Sequence, residues 1–160
     1  MKLTRREGLK LMSATALTAA PLTALAQTAP ATHVVEMMNK DPDTGERMVF
    51  RPDFLQVNPG DTVRFVPKDN GHNSLTSPDM IPAGTDGWKG KINKEIEVTL
   101  DTEGAYGYHC LPHFSLGMVG LILVGNASGN YEAVKKGKML GQAKKRYADI
   151  FARADKLVGA

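Results

Sequence analysis

The chain has 160 residues, 42% of them apolar, with 20 Lys and Arg against 17 Asp and Glu and a single cysteine. That length suits one ordinary core, the lone cysteine excludes an intramolecular disulfide framework, and the surplus of +3 resides entirely in Lys2, Arg5, Arg6 and Lys10 against Glu7. Beyond residue 26 the charges balance at 16 of each sign, and basic residues do not alternate with stacking aromatics, which excludes nucleic-acid binding.

The first element in chain order is an address. Thr4-Arg-Arg-Glu-Gly-Leu-Lys10 precedes a modestly apolar stretch that ends in Ala24-Leu-Ala26. Paired arginines ahead of such a segment resemble a twin-arginine export signal, and the Ala-x-Ala end predicts cleavage after Ala26. The segment is too short and too rich in Thr and Ser to remain as a membrane anchor. Residues 27–160 are therefore expected to form one soluble periplasmic domain with no membrane contact.

From His33 onward short β-type runs recur between turn signals: His33–Met38, Met48–Phe50, Phe54–Val57, Thr62–Val66, Ile92–Leu100, Ala105–His109 and Val119–Val124. Asn58-Pro-Gly-Asp61 is a turn by mechanism, because Pro presets φ and Gly accepts a positive φ; Asp101–Gly104 is read as a second turn. Seven or eight such strands predict an all-β sandwich. After Asn130 the period changes. Tyr131–Lys136 reads as a short helix, and Ala143, Tyr147, Ile150, Phe151, Ala154 and Leu157 recur at helical spacing opposite Lys144, Lys145, Arg146 and Arg153. Residues 131–158 are thus expected to be a helical extension packed on the sandwich.

The chemistry concentrates in Cys110-Leu-Pro-His113-Phe-Ser-Leu-Gly-Met118, which sets a thiolate, an imidazole and a thioether within nine residues between two strand-like runs. Such a donor set is soft, and two imidazoles, one thiolate and a weak Met contact are the pattern of blue-copper electron-transfer centres. The second imidazole is best supplied by His72, on the turn after the Thr62–Val66 run. His33, at the start of the first strand, reads as a surface residue. His109 alternates with Cys110 along a strand, so it points to the opposite face and is expected to meet solvent. Other uses of Cys110 fit less well. Met is not a zinc ligand, a cysteine nucleophile lacks an orienting group and an oxyanion pocket, and the Cys-x-x-Cys-His motif for haem attachment is absent. Substrate reduction at copper would need an open site with further histidines, and only His33 and His109 remain. The residues thus describe a carrier and not an enzyme, with copper storage or delivery, or a non-catalytic fragment of a copper oxidoreductase system, as the alternatives.

These pieces together resemble the pseudoazurins, small cupredoxins of denitrifying and methylotrophic bacteria. The resemblance rests on Met37-Met-Asn-Lys40, Asn58-Pro-Gly-Asp-Thr-Val63, Gly71-His-Asn73, Asp79-Met-Ile-Pro82, Lys91-Ile-Asn93, Cys110-Leu-Pro-His113 and Gly117-Met118. It differs at Asp41–Gly45, which is longer than usual, at Leu111 in place of Thr, and at His109 in place of Lys. The resemblance implies a cupredoxin-like Greek-key β-sandwich with a C-terminal pair of α-helices. It further implies one type 1 copper ion, cycling between Cu(I) and Cu(II), with His72, Cys110 and His113 as a trigonal plane and Met118 as the axial contact. Asn73 would tie the His72 loop to the Cys110 loop. The electron would leave through His113 to a copper nitrite reductase or a c-type cytochrome, docked transiently by a monomer through Lys40, Lys68 and Lys89.

Overall fold

A computed structural model describes residues 29–158, so the export signal expected at 1–26 lies outside the described residues. Eight strands form two four-stranded sheets. The first sheet is ordered β2 (Arg47–Arg51), β1 (Thr32–Lys40), β4 (Asp61–Pro67), β6 (Ile96–Leu100), and the second β3 (Phe54–Val57), β8 (Val119–Val124), β7 (Gly104–His109), β5 (Leu75–Thr76). β1 runs parallel to β4 and β3 parallel to β8; the other neighbours are antiparallel. The fold is a two-sheet β-sandwich with two C-terminal helices, as expected.

Alternation explains which face each strand buries. In the first sheet Val35, Met37, Val63 and Phe65 point inward, while Val34 and Arg64 point to solvent or its margin. β7 and β8 are buried at every position because both faces of their sheet are covered. One face meets Val35, Phe50, Phe65 and Trp88 across the sandwich, through Tyr106, Tyr108, Ile122 and Val124. The other, through Ala105, Leu121 and Leu123, packs under Tyr131, Val134, Tyr147, Ile150 and Phe151. A strand covered on both faces reads as a continuous apolar run, as Val119-Gly-Leu-Ile-Leu-Val124 does.

The helices are α1 (Tyr131–Val134) and α2 (Ala143–Val158), joined by Asp155, which accepts from Tyr131 Oη and Lys135 Nζ, each at 2.9 Å. The expected turn at Asn58–Asp61 is present, with Gly60 at φ 91° and Asp61 N donating to Asn58 O at 3.1 Å. Two strand boundaries differ from expectation. Ile92–Leu100 does not run as one strand, because Asn93 sits in the left-handed region at φ 61° and breaks pairing until Ile96. The two-residue β5 carries too little pattern to be read from sequence.

Candidate metal centre

Cys110 directly follows β7, Met118 directly precedes β8, and the strands' antiparallel pairing brings both ends together. The loop between them is closed by its own backbone. Cys110 N donates to Met118 O at 3.0 Å, His113 N to Cys110 O at 3.2 Å, and Met118 N to His113 O at 3.1 Å. A short 3-10 turn, Phe114–Leu116, ends at Gly117, whose φ of 91° is left-handed and suits glycine. The turn has no side-chain cap.

His72 comes from the loop after β4, 38 residues earlier, and is fully buried. Gly71 turns the chain with φ 96°, its amide donates to Asn93 Oδ1 at 2.5 Å, and Asn93 N donates to His72 O at 2.8 Å. The segment that failed to extend β6 therefore cradles the His72 backbone. Asn73 joins this loop to the other: its Oδ1 accepts from Leu111 N at 2.9 Å, and its Nδ2 donates to Gly90 O at 3.0 Å.

Three donor atoms converge. Cys110 Sγ lies 3.8 Å from His72 Nδ1 and 3.6 Å from His113 Nδ1, and the two imidazole nitrogens are 3.1 Å apart. A point in the plane of these atoms is about 2 Å from all three, the ordinary range for a first-row metal bonded to imidazole or thiolate. His72 Nε2 donates to Asn39 Oδ1 at 3.0 Å, which leaves Nδ1 as a bare lone pair aimed at that point. Burial pushes the Cys110 thiol up, opposed by the backbone amides of Asn73 and His113 directed at the sulfur. Burial, reinforced by His113, pulls the His72 imidazole down, opposed by Asp69. The lowered imidazole leaves His72 neutral, as a ligand must be, whereas the raised thiol keeps its proton until a bound cation displaces it. Met118, fully buried, belongs to the same apolar cluster as Cys110.

The residues expected from sequence at this centre, His72, Cys110, His113 and Met118, thus come from two loops at one end of the sandwich. Asn39 and Asn93 are additional positioning residues. Their only sequence signal is an amide side chain at a strand end and in a turn, and neither reveals its partner. His33 is half-buried and bonded through Nε2 to Asp61 Oδ2 at 2.9 Å, so it is not the simple surface residue expected. His109 does point away from the donors, but it is only 8% exposed. The ring is covered by Ser77 and Phe114, so the expectation that it meets solvent fails, and burial lowers its pKa.

Comparison with known proteins agrees with this geometry. Residues 35–125 match the model of "Copper binding proteins, plastocyanin/azurin family". The chain is similar to a pseudoazurin of Paracoccus pantotrophus, at 44% identity over 81% of this chain and 90% of that one. It is also similar to a pseudoazurin of Methylorubrum extorquens, at 40% identity over 81% and 88%. The crystal structure of native pseudoazurin from Hyphomicrobium denitrificans superposes with a TM-score of 0.72 at 43% identity, covering 76% of this chain and 97% of that one.

Proposed function

This chain belongs to the plastocyanin/azurin family of copper-binding proteins, and within it to the pseudoazurins, which are blue copper electron-transfer proteins; from that membership we propose that His72, Cys110 and His113 would hold one copper ion, with Met118 as a fourth ligand. The observation that carries the assignment is the convergence of three buried or half-buried donor atoms on one point about 2 Å from each. Copper bound there supplies a one-electron couple between Cu(I) and Cu(II). The chain's own residues keep the surroundings constant through that change. Asn39 holds the His72 tautomer, Asn73 locks the two loops at a fixed separation, and Pro112 stiffens the backbone between two ligands. A donor set that moves little between oxidation states lowers the rearrangement each electron must drive.

His113 is the ligand at the surface. Leu111, 57% exposed, and Leu116, 53% exposed, flank it as an apolar contact area. Lys40 and Lys68 close the parallel strands β1 and β4 at the His72 end, and Lys89 precedes Gly90, whose carbonyl holds Asn73. An apolar centre rimmed by lysines suits brief docking to an acidic redox protein, with a copper nitrite reductase or a c-type cytochrome as the partner class. The protein acts as a monomeric carrier and not as an enzyme. Residues 1–26 direct export and are removed, leaving 27–160 as one domain that works in the periplasm. Among the described residues no helix is long and apolar enough to cross a membrane.

The test is optical. The copper-loaded wild type is expected to be intensely blue or green from Cys110-to-copper charge transfer, and Cys110→Ala to be colourless yet folded by circular dichroism, because the core is made by strand residues such as Val63, Phe65, Leu121 and Leu123. A colourless copper-loaded wild type overturns the assignment. An unfolded variant would show the sandwich to depend on the metal and overturn the account of a preformed site.

A further inference from the structure

The ligand loop has two sides. Its inner side presents the donor atoms, and its outer side rests on a buried layer that none of the steps above uses. His109 sits on that outer side, on the face of β7 opposite Cys110, where its Nδ1 pairs with Ser77 Oγ at 2.9 Å. Ser77 is itself buried and anchored, its amide donating to Gly107 O at 3.0 Å. The His109 ring stacks on Phe114, with centroids 4.2 Å apart and planes at 25°. Phe114 is the residue after His113 and the first of the uncapped 3-10 turn; its far side packs against the outer core beneath the helices.

Helix α2 completes the support. Gln142 N, just ahead of the helix, donates to Ser115 O at 2.8 Å, and Tyr147 Oη donates to Tyr108 O at 2.9 Å, two residues before Cys110. The turn's other side chains, Ser115 and Leu116, are exposed and hold nothing. Phe114 is therefore the turn's one side-chain anchor, and His109 is the plate it is pressed against. Because Ser77 fixes the imidazole by a hydrogen bond and not by packing alone, the plate has one orientation.

We infer that His109, held by Ser77 and stacked on Phe114, is a positioning residue that sets the placement of His113 in the copper centre. The inference rests on the ligand assignment above and goes beyond it, since His109 touches no metal. It makes the residue a tuning element reached from the outer core instead of a surface group that meets partners. Loss of the plate frees Phe114, lets the turn shift, and broadens the positions the His113 ring can take. The copper centre should then show it directly.

The experiment uses copper-loaded wild type, His109→Ala, Phe114→Ala, the double variant, and Phe114→Tyr, which keeps the stack. Visible absorption, electron paramagnetic resonance and the electron self-exchange rate are measured on each, with thermal melts to confirm folding. Ile150→Val, on α2 in the same outer core, controls for simple destabilisation. Both alanine variants are expected to shift the charge-transfer bands and slow self-exchange by about 3- to 10-fold, and the double variant to be no worse than the more affected single, because the two rings act as a unit. Phe114→Tyr and Ile150→Val should keep the wild-type bands. Unmoved bands and rates in His109→Ala, additive effects in the double variant, or the same shift in Ile150→Val would each overturn the inference. A colourless wild type would instead overturn the ligand assignment, so the two failures are distinguishable.

Discussion

Tyr108 illustrates how tightly individual residues are held behind the metal centre. Its ring lies between Phe50 at 4.8 Å and Phe65 at 5.1 Å, with Trp88 at 5.9 Å. It also presses on Gly120, where a Cβ would meet the phenol carbon at 2.2 Å. Only glycine fits there. Tyr108 Oη, however, is buried without a hydrogen-bond partner among the described residues, and burial drives the phenol pKa well above its ordinary value. An unpaired buried hydroxyl costs about 1–3 kcal/mol. Tyr108→Phe keeps every ring contact and removes that cost, so it is expected to raise the melting temperature by a few degrees, read by thermal unfolding, while the copper bands stay in place. A lower melting temperature would mean that the hydroxyl has a partner worth more than its desolvation.

At the scale of elements, the parallel pairing of β1 with β4 begins at one buried carboxylate. Asp61, the first residue of β4, accepts from Ala31 N at 2.8 Å, Asn58 N at 3.0 Å and His33 Nε2 at 2.9 Å. It thereby ties the start of β1 to the turn before β4. The amides of Ala31 and Asn58, then His33, hold its pKa at about 2, below the ordinary 3.8. A carboxylate whose pKa falls on folding stabilises the fold fully above its unfolded value, and that contribution is lost as pH drops through the folded value. Stability should therefore decline between about pH 4 and pH 2, a window set by the two values cited. Asp61→Asn keeps one acceptor oxygen and replaces the other with an NH2 donor facing amides. Its melting temperature is expected to be roughly 4 °C or more below wild type at pH 7, with the gap closing by about pH 2. A constant gap across that range would show that Asp61 acts through shape and not charge.

At the scale of the whole molecule, the fold gathers a copper centre, an apolar contact area and lysines at one end while the net charge beyond residue 26 is zero. For the proposed docking, what matters is where charge lies and not how much there is. The three lysines are not equivalent. Lys68 pairs with Glu36 at 3.0 Å, whereas Lys40 and Lys89 meet no carboxylate among the described residues. Changing Lys40 and Lys89 to Glu is expected to slow reduction by an acidic redox protein about tenfold at low salt, and Lys68→Glu to slow it less. All differences should shrink as added salt brings the screening length to about 10 Å at 0.1 M. Stopped-flow rates across ionic strength check this; equal effects at all three positions would make the Glu36 pair irrelevant to docking.

Local patterns in the chain already determined the two-sheet class, most strand positions and the helix Ala143–Val158, because alternation and helical spacing are properties of neighbours. The Cys110, His113 and Met118 donors were legible for the same reason: nine residues between two strands must close on themselves. The tertiary structure alone decided the rest. It brought His72, already named from its turn, to 3.8 Å from a thiol 38 residues away, and supplied Asn39 to hold its imidazole and Asn93 to hold its backbone, from a strand and a turn no local pattern links. It also reversed the reading of His109. Alternation along β7 states correctly that this side chain turns from Cys110, but whether the face it turns to is water or protein depends on which distant segments pack there. The Ser77 loop and the Phe114 turn pack there, so His109 is buried against Phe114 and bonded to Ser77. A strand's period tells which face a residue takes; only packing tells what that face meets.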